Sequence, residues 1–251
     1  MENQQLPEEK MIKLHRGIYL LPNLLTTGAL FAGFYSIVAA LKGYFDIAAI
    51  SVFFAMILDT LDGRVARLTN TQTAFGAEYD SLSDMVAFGI APALVIYSWS
   101  LSRLGKFGWL IAFVYAAATA LRLARFNTQL HDEDKQYFQG LPCPAAAGVV
   151  AGMVWLGFVY DIEGFFIAIP AAVITFMVAA FMVSTIRYNS FKKVNFKGKV
   201  PFVAAVVLVL LIAAVAVAPP QMLFATFFLF AFSGPVLTLW QVRKMRRRRK
   251  G

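Results

Sequence analysis

Four aspartates lie within a stretch of 26 residues. Asp59 and Asp62 are separated by three positions, and Asp80 and Asp84 by four. In a helix, both spacings place the pair on one face. Four converging carboxylates repel one another, so either some stay protonated or divalent cations neutralise them. Because oxygen ligands select hard cations, these residues predict a site for two ions, Mg²⁺ or Mn²⁺, suited to phosphoryl transfer.

Small and basic residues accompany the acids. Gly63, Ala66 and Gly76 leave room for a large group to approach the backbone, and Arg67 is placed to bind a phosphate. In such a site a hydroxyl could attack a diphosphate in line while a carboxylate takes its proton. The alternative is a solvated helix end in which Arg64 and Arg67 form ion pairs. That arrangement would account for one or two acids but not for four.

The elements that must position these acids are helices in a membrane. Of the 251 residues, 59% are hydrophobic and 15% are charged, compared with about 25% charged residues in soluble domains. A soluble protein of this length cannot bury that much apolar surface, so the composition excludes a soluble globular domain. A carboxylate at membrane depth costs about 2.5 kcal/mol or more, which marks the four aspartates as functional.

Uncharged runs predict the transmembrane helices. A helix needs about 20 residues to cross a bilayer, and the longest run is divided by Pro219 and Pro220, which cannot continue a helix. Two further spans, 47–68 and 107–126, carry charges near one end. We expect an all-α membrane bundle of about eight transmembrane helices, in which the short connection 68–76 makes the acidic helices antiparallel neighbours. The uncharged runs are 17–41, 85–102, 136–160, 164–186 and 200–242.

These spans divide the chain into four parts. Residues 1–19 mix basic and apolar side chains, so we expect a short interfacial helix at the membrane surface. Residues 20–187 are predicted to form a core of six transmembrane helices, and residues 188–242 two additional ones. Residues 243–251 form a basic tail that suits anionic lipid headgroups.

The distribution of basic residues predicts the orientation. Twenty of the 23 lysines and arginines fall on the side that holds both termini and the four aspartates. By the positive-inside rule this side is cytoplasmic, and we expect an integral protein of a cell membrane, the inner membrane in a bacterium. The net charge of +9 then follows from topology and requires no nucleic acid partner.

The acidic segment resembles the signature of the CDP-alcohol phosphatidyltransferases. That signature, D-x-x-D-G-x-x-A-R-x₈-G-x-x-x-D-x-x-x-D, is filled at every fixed position between Asp59 and Asp84. The resemblance implies transfer of a phosphatidyl-type group from a CDP-linked lipid, such as CDP-diacylglycerol, to an alcohol with release of CMP. It also implies that the four aspartates bind the metal ions. Asp84 matches the general base, and should then be the acid least coupled to metal.

The resemblance also implies the nucleotide-binding residues. A P-N-x-x-T opening at the first span, with Asn23 and Thr26, is similar to one in the family. The implied pocket for the CDP and phosphate groups consists of Asn23, Thr26, Asp62, Gly63, Ala66, Arg67, Gly76 and Asp80.

Two later segments resemble the phosphatidylserine synthases within this family and imply L-serine as the acceptor. They are R-L-A-R-F-N at 122–127 and G-L-P-C-P-A-A at 140–146. Arg122 and Arg125 can offer a two-pronged contact to a carboxylate, and Asn127 can hold an ammonium or hydroxyl group. Gly140 and Pro142 are expected to line the same site, while the adjacent Cys143 is expected to be a packing residue. The family also implies a homodimer among membrane lipids.

Three alternatives remain open from the sequence. The acceptor could instead be glycerol phosphate, inositol phosphate or choline. Acids inside a membrane also occur in cation and proton transporters, although here all four lie near one face. A lipid-binding scaffold without catalysis is the third alternative.

Overall fold

The structure, a computed structural model, describes residues 8–128, 138–188 and 213–248. Nearly all of the described backbone is helical. The first of the two predicted C-terminal spans lies largely outside the described residues, as do residues 1–7 and 249–251. The helices are α1 Glu8–Leu41, α2 Phe45–Leu68, α3 Ala74–Asp84, α4 Ala91–Trp99, α5 Lys106–Thr128, α6 Cys143–Val159, α7 Ala168–Val183 and α8 Pro219–Arg248.

Shorter elements connect these helices. A π-helical segment, Met85–Ile90, joins α3 to α4 without a break, and a 3₁₀ turn, Leu101–Leu104, precedes α5. Two short strands, β1 Phe138–Gln139 and β2 Arg187–Tyr188, pair antiparallel with Phe138 opposite Tyr188. The predicted all-α class is therefore confirmed, apart from this two-residue ladder.

Four helices within the described ranges are long and apolar enough to cross a membrane. They are Leu20–Leu41, Ala74–Trp99, Lys106–Thr128 and Pro219–Thr238. Helices α6 and α7 are apolar but shorter, while α2 has 24 residues and carries charges in its second half. The chain thus has the build of an integral membrane protein, although fewer helices meet the length and composition of a span than the eight we expected.

Helix α1 is longer than the sequence predicted. We expected a separate interfacial helix before residue 20, whereas α1 runs from Glu8 through Pro22 to Leu41. The four residues between Gly17 and Pro22 are Ile, Tyr, Leu and Leu, and none of them ends a helix. Pro22 removes one backbone donor but does not interrupt the helix. At the other end of the chain, α8 continues into the predicted basic tail as far as Arg248.

Small side chains allow the helices to pack closely. Helix α1 packs along α2, α2 against α6, and α5 against α7. A Cβ atom at Gly148 of α6 would collide with the ring of Phe227 in α8, and one at Gly152 would lie 3.1 Å from Cα of Phe224. Glycines at such positions are typical of helix contacts in membranes. The helix α8 is fixed further because the hydroxyl of Tyr188 donates to the carbonyl of Ala231 at 2.9 Å.

The π-helical segment follows Asp84 directly and is held from two sides. The hydroxyl of Tyr115 in α5 donates to the carbonyl oxygen of Phe88 at 3.0 Å. On the other side, a Cβ atom at Gly33 would lie 2.6 Å from Cα of Ala87. Single π-helical turns frequently occur at functional sites, and this one is the support for the last of the four aspartates.

Candidate active site

Helix α2 supplies the first acidic pair near its C-terminal end. Asp59 is half-buried and Asp62 is only 4% exposed. The helix closes at Leu68, where the N–H and hydroxyl of Thr69 both bond to the carbonyl of Val65, at 2.9 and 2.7 Å. Asn70, in the left-handed conformation with φ of 52°, then reverses the chain. These contacts explain why the second acidic helix follows after so few residues.

Helix α3 supplies the second pair. Its N-cap is Thr73, whose side-chain oxygen accepts a hydrogen bond from the N–H of Gly76 at 3.0 Å. Such caps satisfy one of the free N–H groups at a helix start. From this fixed start, Asp80 and Asp84 lie one helical turn apart and are both half-buried.

The two pairs converge on one point. Carboxylate oxygens of Asp59, Asp62 and Asp80 all lie within 4.8 Å of one another. Asp84 is placed against Asp59, within hydrogen-bonding reach of its carboxyl group. Among the described side chains, no lysine or arginine forms an ion pair with any of the four. A cluster of oxygen ligands without a basic partner fits the requirements of a hard divalent cation.

Helix α1 adds a third wall to the cluster. The hydroxyl of Thr26 lies 2.7 Å from Oδ2 of Asp62 and donates to it. Thr26 is itself fixed, because Ser83 of α3 donates to its carbonyl oxygen at 3.1 Å. Asn23 lies one turn earlier, and its Oδ1 would be 3.5 Å from a Cβ placed on Gly76. The structure therefore brings Asn23, Thr26 and Gly76 to the acidic cluster.

The remaining residues predicted for the nucleotide pocket lie on the more open side of α2. Gly63 and Ala66 are half-buried, and Arg67 is exposed. A Cβ atom on Gly63 would meet only the guanidinium of Arg67, at 3.8 Å. Space is therefore available beside Gly63, with the exposed positive charge of Arg67 at its edge.

Both candidate arginines for the acceptor lie at the end of α5 and already have partners within the chain. Arg122 Nη1 donates to Sγ of Cys143 at 3.1 Å. Its Nε is buried and has no partner. Arg125 Nη1 donates to the carbonyl of Val183 at 3.1 Å. Arg125 thus joins α5 to the end of α7, whereas Arg122 keeps a buried donor unused.

Asn127 lies next to α3. Its side-chain amide exchanges hydrogen bonds with the hydroxyl of Ser81, with 3.0 Å from Nδ2 to Oγ and 3.3 Å from Oγ to Oδ1. Ser81 directly follows Asp80 in the sequence. The acceptor-like segment and the acidic cluster are therefore in contact.

Gly140 and Pro142 shape the start of α6. Gly140 has φ of 80° and is buried, and a side chain there would collide with the carbonyl of Met182. Its N–H donates to the carbonyl of Ile186 at 2.9 Å, so this backbone donor is used within the fold. Pro142 is the N-cap residue of α6. Both residues determine where Cys143 and the helix after it begin.

Sequence reasoning missed Ser81 and the contact of Cys143. Ser81 occupies an unspecified position of the acidic motif, and Cys143 is the only cysteine in the chain. Neither has a sequence signal of its own, because each becomes relevant only when a residue more than 20 positions away packs against it.

A separate cavity of about 400 Å³ lies at the other end of the bundle. It is lined by Phe45 at the start of α2, Trp99 at the end of α4 and Glu163 before α7, among others. None of the four aspartates reaches it. This cavity is therefore separate from the acidic cluster.

Comparison with known proteins identifies the family. The model of the CDP-alcohol phosphatidyltransferase family matches residues 19–175, which include all four aspartates and both arginines. The chain belongs to the CDP-alcohol phosphatidyltransferase family. The family predicted from the acidic motif is thereby confirmed. The matched range begins just before Asn23 and ends within α7, so this family core includes every element that builds the acidic cluster.

Individual relatives are similar over most of the chain. It is 42% identical over 183 residues to the CDP-diacylglycerol–serine O-phosphatidyltransferase of Helicobacter pylori, covering 72% of this chain and 77% of the relative. It is 36% identical to the protein of the same name from Mycobacterium bovis, covering 83% and 74%. The archaetidylserine synthase of Methanothermobacter thermautotrophicus is 35% identical over 67% of this chain and 69% of its own length.

Proposed function

We propose that this protein transfers the phosphatidyl group of CDP-diacylglycerol to L-serine, giving phosphatidylserine and CMP. The observation that carries the proposal is the convergence of the four family aspartates at one end of the bundle. Relatives at 35–42% identity with serine in their names support the choice of acceptor.

In the proposed reaction, one bond forms and one breaks at a single phosphorus. The hydroxyl oxygen of serine attacks the phosphorus that carries the diacylglycerol, and the bond from that phosphorus to the bridging oxygen breaks. CMP leaves with that oxygen. Asp84 takes the proton of the serine hydroxyl, since it lies against Asp59 but outside the group of three closest carboxylates.

Asp59, Asp62 and Asp80 would hold the divalent cations, with Asp84 at the edge of the set. Two ions, Mg²⁺ or Mn²⁺, suit a set of four carboxylates by charge and ligand type. When bound, such ions polarise a diphosphate and stabilise the charge of the leaving group. The hydrogen bond from Thr26 fixes the orientation of Asp62, as outer contacts commonly do for metal ligands.

The nucleotide and its diphosphate would lie between α1 and α2. Asn23 and Gly76 form one wall, and the open space beside Gly63 and Ala66 allows close approach of the diphosphate to the backbone. Arg67 is exposed at the edge, where its charge can contact a phosphate oxygen. Asp62 and Asp80 are shared between this pocket and the cations.

Serine would bind on the α5 side of the cluster. The unpaired Nε of Arg122 offers a contact to its carboxylate, and Arg125 adds positive charge. Asn127, held by Ser81 beside Asp80, is placed to accept from the ammonium or hydroxyl group. Gly140 and Pro142 contribute by placing the start of α6.

The proposed setting is the inner membrane of a bacterium, with eight transmembrane helices and with both termini and the active site in the cytoplasm. Residues 1–19 would form the cytoplasmic N-terminal segment and 20–187 the catalytic core. Residues 188–242 would supply two further spans and 243–251 the basic tail. A homodimer is proposed from the family resemblance.

An acceptor panel tests the proposal. Purified protein with CDP-diacylglycerol and Mn²⁺ is given serine, glycerol phosphate, inositol phosphate or choline, and CMP and lipid products are measured. We expect phosphatidylserine and CMP with serine alone, and none of either after EDTA treatment. CMP release with another acceptor but never with serine would refute the assigned acceptor. Full activity in EDTA would refute the role of the aspartates.

A further inference from the structure

We propose that Cys143 is a positioning residue, whose thiol orients Arg122 so that one edge of the guanidinium faces the carboxylate of the acceptor. The inference deepens the proposed function and rests on it. It assigns a part in acceptor selection to the sole cysteine of the chain.

The contact between the two side chains is specific. Arg122 Nη1 donates to Sγ of Cys143 at 3.1 Å, and Cys143 is completely buried. Cys143 is the first residue of α6, placed by the N-cap Pro142 and by the left-handed turn at Gly140. The thiol is therefore held rigidly, and the arginine is the partner that adjusts to it.

The geometry of a guanidinium determines what this contact leaves free. Nε–H and one Nη2–H point to the same side and form a two-pronged edge that matches a carboxylate. Nη1 lies outside that edge. With Nη1 bound to the thiol, the Nε–Nη2 edge of Arg122 has no partner among the described residues, and its Nε is buried.

A buried, unpaired donor requires an acceptor. Arg122 lies on α5, the helix whose Asn127 bonds to Ser81 beside Asp80. The free edge therefore lies on the same helix as the contact to the acidic cluster. A ligand that brings both a carboxylate and a hydroxyl, as an amino-acid alcohol does, could contact the edge and the base together.

Two substitutions of Cys143 form a matched pair. Cys143→Ala removes the acceptor atom for Nη1, whereas Cys143→Ser loses the same sulfur but keeps an oxygen acceptor. We expect Cys143→Ala to raise the KM for serine about five- to tenfold, as for loss of one orienting hydrogen bond. In Cys143→Ala, the kcat and the KM for CDP-diacylglycerol should stay within twofold of the values for the unmodified protein. In Cys143→Ser, the KM for serine should lie close to that of the unmodified protein.

Arg122→Lys is a second variant that tests the inference if Cys143→Ala fails to fold. It keeps the charge but lacks the two-pronged edge, so the KM for serine should rise at least tenfold. An unchanged KM for serine in both Cys143→Ala and Arg122→Lys would overturn the inference. A rise only in the KM for CDP-diacylglycerol would also overturn it, by assigning the edge to a phosphate. If the unmodified protein does not use serine, the proposed function itself is wrong. That result is distinct from an unchanged KM for serine in the variants, which would contradict only the role of Cys143.

Discussion

Asp62 has the least exposed surface of the four aspartates, and a hydroxyl from another helix helps to orient it. Thr26 reaches it from another helix at 2.7 Å. The neighbouring Thr27 is exposed and bonds instead to the carbonyl of Asn23 and to the hydroxyl of Tyr79. Two adjacent threonines on one helix therefore differ in their relation to the cluster, which makes them a natural pair for comparison.

We expect Thr26→Val to lower kcat/KM about 10- to 100-fold, because an outer contact to a ligand typically has that effect on affinity or activity. Thr27→Val serves as the control and should stay within about threefold. The measurement is CMP release at several Mn²⁺ concentrations. Equal losses in both variants would contradict the role assigned to Thr26.

Substitutions of the four aspartates should fall into two classes, one that weakens metal binding and one that removes the general base. Asp59→Asn, Asp62→Asn and Asp80→Asn should abolish activity and weaken Mn²⁺ binding, measured by electron paramagnetic resonance of the free ion. Asp84→Asn should lose activity about 10²- to 10⁴-fold, as expected for a general base, but should still bind CDP-diacylglycerol. Normal turnover in any of the first three would contradict the metal assignment.

The spacing of the acids in the sequence predicted their convergence, and the structure brings them together. Two residues per helix at i, i+3 or i, i+4 suffice for this, because the period of the helix is known in advance. The contacts between Thr26 and Asp62 and between Arg122 and Cys143 could not be predicted in this way. They join residues of different helices that are 21 or more positions apart in the chain, so they depend on how the helices cross.

Close contact between α1 and the π-helical segment depends on Gly33. Its Cβ would lie 2.6 Å from backbone Cα of Ala87, which cannot move aside as a flexible side chain can. At Gly28 of the same helix, a Cβ would meet only the tip of Leu58 at 3.1 Å. Alanine substitutions at the two glycines therefore compare a contact with backbone and a contact with a side chain.

Gly33→Ala should destabilise the protein by about 1–3 kcal/mol, the usual cost of overpacking a tight site. Because the displaced segment directly follows Asp84, activity should also fall. Gly28→Ala should leave the melting temperature in detergent within about 2 °C, since a side-chain tip can shift and alanine favours the helix. A Gly33→Ala protein as stable as Gly28→Ala would show that α1 can move away at no cost.

The sequence predicted these helices better than it predicted their ends. Uncharged runs and the motif placed α2, α5 and α6 correctly in order, because apolarity and helical period are local properties. The continuity of α1 from Glu8 into the first span and the π-helical join at Met85–Ile90 were not predicted. Both depend on neighbours, since tertiary contacts decide whether a helix bends, ends or widens.

The acidic cluster lies at one end of the bundle and the cavity at the other. Cysteine labelling can test which end faces the cytoplasm. Gln72 lies in the turn beside the acidic cluster, and Ser102 lies near the cavity at the other end; both are exposed. The native Cys143 is buried and should react slowly.

In intact spheroplasts, a membrane-impermeant maleimide should label Ser102→Cys at once. Gln72→Cys should be labelled only after permeabilisation, because the proposed topology, which follows from the basic residues, places its side in the cytoplasm. The unmodified protein gives the background. The reverse pattern would place the active site outside and contradict the proposed topology.

The glycine positions of α6 also bear on biogenesis. Gly148 and Gly152 leave a notch that Phe227 and Phe224 of α8 fill. Translation delivers α6 to the bilayer well before α8, so the notch faces acyl chains or the insertion machinery in the interval. The newly made bundle therefore lacks the partner for this face of α6 until α8 has been inserted.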